Sequence, residues 1–433
     1  MAKKKAPSAA SLAADEGVVI PRITLAPQGF TALRTSNGRI LAEANQAFNY
    51  PYFVKTVNEM RHNPTVGSAM SAYRMLISRV NWRVEAHKEA TDIDKERAAL
   101  VGTMMNDMEH SWRSFIEEVI PYLEYGFGIH EKVLRRRLPR NGSIYSDGLV
   151  GIRKLAPRNQ DTIERWNFSE DGADLIGVSQ SIANVENSYR FANRKDENGL
   201  IPIDREKFLL FTASGNKGNP QGNSLYKAIY LAYKTLSMVQ DQELLGAAKD
   251  IQGILKIEVP PNYLAVDANE SEQAVAASLQ GIVDQYADGT LKGLVLPQQI
   301  DSESKLPLFS YSLIESRGAA KYNLEEIIQR IQLDILSALN VDVLKLGSSG
   351  SGSFSLAESK TSILAIAIDY RLREIAEVLN TDLMKSIYAA NGWSQERMAS
   401  FVYGDIEEVS WAEAGKLFRT SGVLELWKQI VLL

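Results

Sequence analysis

The sequence predicts an α+β protein, and three observations carry that prediction. Between Tyr52 and Val80 the apolar residues recur with a helical period, as Phe53, Val57 and Met60 and then Val66, Met70, Tyr73 and Ile77. From Ile129 to Thr212 the pattern shortens to alternating segments bounded by turn residues. Farther on, two long helix-like stretches, Ala319 to Asn340 and Leu356 to Asn391, enclose a run of glycine and serine only, Gly347 to Ser353.

Residues up to about Phe30 lack a sustained period and are rich in Ala, Ser, Pro and Gly, so residues 1–39 are expected to form a flexible N-terminal arm. Within the first helical stretch, Asn63 suits a cap and Pro64 a first helical turn, which interrupts the helix at His62-Asn63-Pro64. Asn81 to His87 sets Trp82, Val84 and Ala86 against Arg83 and Glu85, the alternation of a half-buried strand. Lys95 to Glu124 reads as one further helix, with Trp112, Phe115, Ile116, Val119 and Ile120 as core candidates. Strands follow at Ile129 to Leu138, Ile152 to Leu155, Thr162 to Phe168 and Phe208 to Thr212, with a turn at Asn141-Gly142, and together they form a sheet.

Leu225 to Asp250 is a long helix, about 39 Å at roughly 1.5 Å per residue. After it come a strand ending at Pro260-Pro261, a short helix from Glu270 to Tyr286, and strands around Leu294 to Leu296 and Leu308 to Tyr311. The Gly/Ser run cannot bury apolar surface and is costly to order, so it reads as a mobile loop between its two helices. A last helix is expected from Trp411 to Leu433.

The 433 residues, 45% hydrophobic and 23% charged, suffice for two or three cores. A net charge of -5 argues against gripping nucleic acid through bulk positive charge. No cysteine is present, which excludes disulfides, cysteine-based zinc sites and a thiol nucleophile. No run approaches 18 apolar residues, so a soluble, cytoplasmically made protein without membrane partners is expected.

The motifs of nucleotide and hydrolytic chemistry are missing. There is no G-x-x-x-x-G-K-[ST] and no G-x-S-x-G, and the glycines between Gly215 and Gly222 have the spacing of a structural turn. His62, His87, His110 and His130 are scattered, without ligand spacing, and are expected at the surface or in hydrogen bonds. Neither catalytic residues nor a metal or cofactor site is assigned. Arg135-Arg136-Arg137 with Arg140 is the densest basic cluster, and it reads as solvated charge on a sheet more readily than as a phosphate contact. Trp82, Trp112 and Trp166 read as core or interface aromatics.

Four passages, in their order, resemble the portal proteins of tailed phages, of the Mu-like group. The first is Val57-Asn58-Glu59-Met60-Arg61-His62-Asn63-Pro64-Thr65-Val66 with Val80 to Glu85 after it. The second is Phe115 to Ile120 with Tyr125-Gly126-Phe127-Gly128-Ile129-His130-Glu131-Lys132-Val133. The third is Ile201 to Thr212 followed by Gly218 to Leu225, whose Gly222-Asn223-Ser224-Leu225 opens the long helix. The fourth is Leu346 to Ser353 before the next long helix.

This resemblance implies a portal-type fold and a ring of 12 subunits at a capsid vertex. It implies a wing over residues 40–224, stem helices over 225–250 and 317–340 enclosing a clip at 251–316, a tunnel loop at 341–355, a long helix at 356–392 and a short C-terminal region at 393–433. Lys345, Gly347, Ser348, Ser349, Gly350, Ser351, Gly352, Ser353 and Lys360 would then meet double-stranded DNA in the channel. Residues 251 to 316 carry nine acidic side chains against three lysines, a net charge of -6, and Glu270, Glu272, Asp284 and Asp288 would contact a protein partner. The implied partners are further copies of the chain, the terminase large subunit, the major capsid protein and a head-tail adaptor. The implied location is the virion, with assembly in the host cytoplasm. Two other readings stand beside this one: a DNA-processing enzyme with a Gly/Ser lid, and an interaction scaffold without a channel.

Overall fold

The computed structural model describes residues 35–404 apart from 42, 171, 173, 183–192, 216–217, 253, 266, 291–299, 301–308, 315–323 and 346–353. The expected N-terminal arm up to residue 34, the strand at Leu294 to Leu296, the Gly347 to Ser353 loop and the helix at Trp411 to Leu433 all lie outside the described residues. The described chain divides into two compact units, residues 35–228 with 354–404, and residues 229–345.

The first unit opens with a small hairpin, β1 (Thr35–Ser36) and β2 (Arg39–Ile40), then α1 (Tyr52–His62) and α2 (Pro64–Arg79). The junction of the two helices is built as its sequence predicts. The Asn63 Oδ1 accepts from the N–H groups of Thr65 at 3.0 Å and Val66 at 3.3 Å, and Pro64 fills the first helical position, where no N–H is needed. Phe53, Val57 and Met60 on α1 and Val66, Met70, Tyr73 and Ile77 on α2 are buried, so the periodic residues are the core residues.

After β3 (Trp82–Glu85), the single helix expected over Lys95 to Glu124 is three: α3 (Asp92–Asn106), α4 (Trp112–Val119) and α5 (Tyr122–Tyr125). Thr91 and Asp94 form a capping box that starts α3. The interruptions after it have local causes: the Ser111 hydroxyl accepts from the Ser114 N–H at 3.1 Å to start α4, and Pro121 brings no N–H to extend it. The carboxylate of Asp107, in the gap, accepts from the Ser143 hydroxyl at 2.7 Å and the Ile144 N–H at 3.0 Å, which ties it to a distant loop.

Six strands come next: β4 (Phe127–Arg136), β5 (Val150–Arg158), β6 (Ile163–Phe168), β7 (Leu175–Gln180), β8 (Ile201–Asp204) and β9 (Phe208–Thr212). They form two antiparallel sheets, β5-β4-β9 and β6-β7-β8, where the sequence suggests one. Phe53, Phe127, Ile129, Trp166, Val178 and Phe208 make a common core between α1 and both sheets, and the Phe127 and Trp166 rings meet edge to face at 5.0 Å.

The long helix α6 (Leu225–Gln252) is followed by β10 (Ile254–Glu258), α7 (Glu270–Ala287), β11 (Ser310–Ile314) and α8 (Leu324–Ala338). In the second unit β10 and β11 pair antiparallel, from Ile254 against Ile314 to Glu258 against Ser310. Residues 354–404 belong to the first unit: α9 (Phe354–Val378), a π-helical turn at Leu379–Met384, α10 (Lys385–Ala390) and β12 (Ser400–Tyr403). β12 pairs with β3, Ser400 opposite Glu85 and Tyr403 opposite Trp82, joining segments more than three hundred residues apart. Among the described residues no helix is long and apolar enough to cross a membrane.

Candidate functional site

Within the first unit, the start of α6 is fixed by two passages that are far apart in sequence. Gly126 (φ 95°) ends α5 and Gly222 (φ 57°) precedes α6, both in the left-handed region that glycine tolerates. The Gly126 carbonyl accepts from the Ala213 N–H at 2.8 Å, and the Ala213 carbonyl accepts from the Asn223 N–H at 2.8 Å. A Cβ on Gly222 would collide with the Gly126 carbonyl oxygen, so the approach requires glycine. Ser224 then donates its hydroxyl to the Glu124 carbonyl and accepts from the Tyr226 N–H at 3.1 Å, which caps α6 and fastens it to α5.

The carboxylate of Glu124 is itself buried and accepts from Arg61 Nε at 2.6 Å, with Arg74 at 3.8 Å. Burial alone would lower the pKa of Arg61, but Glu124 outweighs it and raises the pKa, keeping the pair charged. On the other side, Glu374 of α9 accepts from Tyr122 Oη at 2.9 Å, Arg371 Nη1 at 2.9 Å and the Ser214 N–H at 3.0 Å. Burial, reinforced by Glu374, pushes the Tyr122 phenol well up, so it remains a donor. Two ionic knots on the carboxylates of Glu124 and Glu374, with the Ser224 contact, thus hold the first turn of α6 and the body of α9 to α5 and its neighbouring strands.

The basic cluster is divided by the fold. The Arg137 side chain is fully buried, with Nη1 3.1 Å from Asp147, Nε 3.9 Å from Asp107, and its guanidinium 4.0 Å from the Tyr145 ring centroid. Arg135 is nearly as buried and donates to the Asp107 carbonyl. Arg136 and Arg140 alone of the four are exposed. The expectation of solvated strand charge therefore fails for two residues, because Asp107 and Asp147 neutralise them inside. His130 departs from its expected place as well. It is buried, edge to face with Phe115 at 5.4 Å and Phe211 at 5.5 Å, and burial pushes its pKa down to about 3 against a small opposing effect of the Glu118 backbone.

In the second unit the four carboxylates assigned to a partner all lie on or beside α7, which buries no residue. Glu272 is committed to the helix itself: it accepts from the Asn269 N–H at 2.9 Å and from Asn262 Nδ2 at 2.9 Å, while Asn269 Oδ1 accepts from the Glu272 N–H at 2.9 Å. Glu270 lies in the same first turn, where the helix dipole favours an anion. Asp284 and Asp288 lie at the other end, about 21 and 27 Å along the axis from Glu270 at roughly 1.5 Å per residue. Negative charge there opposes the dipole, so helix stability does not account for it. Of the four, Glu272 is half of the capping box, while Glu270, Asp284 and Asp288 are exposed.

Lys345 closes a short 3-10 turn, Asp342–Lys345, of the second unit, and Lys360 is a half-buried residue of α9 in the first. Gly347, Ser348, Ser349, Gly350, Ser351, Gly352 and Ser353 lie outside the described residues. Among the described residues no group of three or more His, Asp or Glu could hold a metal ion.

Residues 54–240 match the family model described as the portal protein of Mu bacteriophage. Among solved structures, a chain of the virion of a native gene transfer agent particle matches with a TM-score of 0.52 at 11% identity, covering 88% of this chain and 90% of that one. A chain from the neck of an empty gene transfer agent particle, computed with C6 symmetry, matches with a TM-score of 0.50 at 11% identity and the same coverage. An HK97-family phage portal protein from Corynebacterium diphtheriae also matches, with a TM-score of 0.44 at 11% identity over 82% of this chain and 96% of that one. No curated protein matches the sequence. At this identity the structural likeness is one of fold.

Proposed function

We propose that this chain is a tailed-phage portal protein whose copies close into a ring of 12 at a capsid vertex, through which double-stranded DNA is packaged and ejected. The observation that carries the ring is on α6. Leu231, Met238 and Leu245 recur every seven residues and are 78%, 67% and 54% exposed in the single chain. Seven residues are nearly two helical turns, so the three lie on one stripe. Such a stripe on a soluble helix calls for a partner surface, and the same helix of a neighbouring copy supplies one.

In this reading the second unit carries the stem and clip, and the exposed carboxylates Asp284 and Asp288 serve a protein partner such as the terminase large subunit. Glu270, exposed in the first turn, belongs to the same partner surface, and Glu272 also caps the helix that presents them. Lys345, Gly347 to Ser353 and Lys360 are assigned to the channel on the composition of that run, since hydroxyls and backbone amides make short-lived phosphate contacts. The role is structural rather than enzymatic. The major capsid protein and a head-tail adaptor are the remaining partners, and assembly takes place in the host cytoplasm before the ring is built into the virion.

Native mass measurement of the purified protein tests the ring. A closed assembly near a dozen copies is expected, and Leu231→Asp with Met238→Asp should yield folded monomers. A wild-type protein that stays monomeric at micromolar concentration refutes it.

A further inference from the structure

The strand β4 is longer than its partner β9. The two pair from Phe127 opposite Thr212 to Glu131 opposite Phe208, and the chain before Phe208 leaves the ladder in a 3-10 turn, Arg205–Lys207. On its other side β4 is paired with β5 as far as Arg136. Pro157 of β5 stands opposite His130 and has no N–H, so the bonds to β5 run from Ile129, Glu131 and Val133. The same alternation turns the backbone groups of Lys132 and Leu134 away from β5, to the side where β9 has ended, and there they have no ladder partner among the described residues. This open edge borders a cavity of about 670 Å³ within the first unit, which β8, the edge strand of the second sheet, also lines. Pro202 brings no N–H to β8, so the ladder that can still be extended is that of β4.

The cavity is basic: Lys132, Arg158, Arg194 and Lys207 line it against Glu131 and Asp204. Arg158 is paired with Glu131, and Lys132 donates to the Ser386 hydroxyl at 2.6 Å, whereas Lys207 is exposed and makes no ion pair among the described residues. An unpaired edge beside excess positive charge fits an extended segment that carries acidic side chains, its main chain bonding to the strand and its carboxylates meeting the cations. We propose that the edge of β4 at residues 132–134 takes up such an acidic segment of a different protein as an added strand. A second copy of this chain is a poor source. The acidic residues of its described strands are Glu85, Glu131, Glu164 and Glu258, each already ion-paired within its own chain, and Asp204, which lies in this same cavity. The edge lies wholly in the first unit, and its use does not depend on the ring.

A fluorescein-labelled hexapeptide, Val-Glu-Val-Asp-Val-Glu, added to the full-length protein is the probe. Saturable binding by fluorescence anisotropy is expected, together with slowed amide exchange at residues 132–134 by hydrogen-exchange mass spectrometry. N-methylation of the peptide nitrogens keeps the side chains but removes every main-chain donor, and should weaken binding about tenfold or more. Lys207→Glu, at an exposed position, should weaken it severalfold, and the counterpart Val-Lys-Val-Lys-Val-Lys should not bind. No saturable binding at millimolar peptide, equal affinity of the methylated peptide, indifference to Lys207→Glu, or binding without protection at residues 132–134 each overturns the proposal. Amides already protected in the wild-type protein but exposed in the Leu231→Asp, Met238→Asp variant overturn it too, giving the edge to a neighbouring copy.

Discussion

The carbonyl oxygen of Gly126 lies against the α-carbon of Gly222, so that the turn ending α5 and the turn opening α6 touch backbone to backbone. A side chain at residue 222 would have to adopt a left-handed backbone and displace that carbonyl. Gly222→Ala should therefore cost about 3 kcal/mol or more, the sum of roughly 1–2 kcal/mol for the backbone and a similar overpacking cost. Gly148, also left-handed at φ 74° but with open space around its α-carbon, is the control, and its alanine variant should lose only the backbone part. Denaturant unfolding of the two variants checks this; equal losses would show that the close approach is not energetically important.

Stability should also depend on His130. The folded protein holds this imidazole neutral down to about pH 3, whereas the unfolded chain takes up its proton near pH 6.5. A lowered folded-state pKa means that the contribution is intact above pH 6.5 and is lost as pH falls from 6.5 toward 3, at up to about 1.4 kcal/mol per pH unit. His130→Phe, which suits the ring contacts with Phe115 and Phe211, should flatten the pH dependence of unfolding free energy between about pH 6 and 4.5 by close to one proton. Identical slopes for variant and parent would rule out this role.

Arg137 and Arg136 are neighbours in sequence with opposite expected outcomes. Removing Arg137 empties a fully buried volume and takes a cation from beside the Asp107 and Asp147 carboxylates, so Arg137→Ala should cost about 3–5 kcal/mol. Arg136→Ala, at an exposed position, should stay within about 0.5 kcal/mol. If the cluster served as a phosphate site, Arg136→Ala and Arg140→Ala would instead leave stability untouched while abolishing DNA packaging.

The two ends of α7 should separate in the same way. Glu272→Ala removes half of the capping box and should destabilise the second unit by about 1 kcal/mol. Asp284→Lys with Asp288→Lys places positive charge at the helix C-terminus, so the fold should be kept or slightly stabilised, by about 0.3–1 kcal/mol per charge. Capture of terminase by the assembled protein should drop in the aspartate variant and persist in the Glu272 one. The reverse pattern would place the docking surface at the other end of the helix.

Much of this architecture was readable because its signals are local. Asn63-Pro64 marks the break between α1 and α2 since a cap and a missing N–H act within one turn, and the helical recurrence of Val57, Met60, Val66 and Met70 needs no partner to be recognised. The start of α6 at Leu225 was legible for the same reason, from Gly222 and Ser224. The cap at Ser111 and the proline at Pro121 are equally local, and they were the available signal that Lys95 to Glu124 is not a single helix.

Only the tertiary structure decided the matters that involve residues meeting across long stretches of chain. Arg135 and Arg137 carry the same charge as Arg136, and nothing near them announces that Asp107 and Asp147 will neutralise two of the three in the interior. Nor does Ser400 to Tyr403 announce a strand, because its ladder partner is Trp82 to Glu85 and the pairing exists once the intervening chain has folded. By itself the sequence determined where most helices begin and end and which faces they bury, since those follow from backbone sterics and hydrophobic period. Which charges are inside and which strands are neighbours were decided by long-range contacts, whose energies do not exist until the chain is folded.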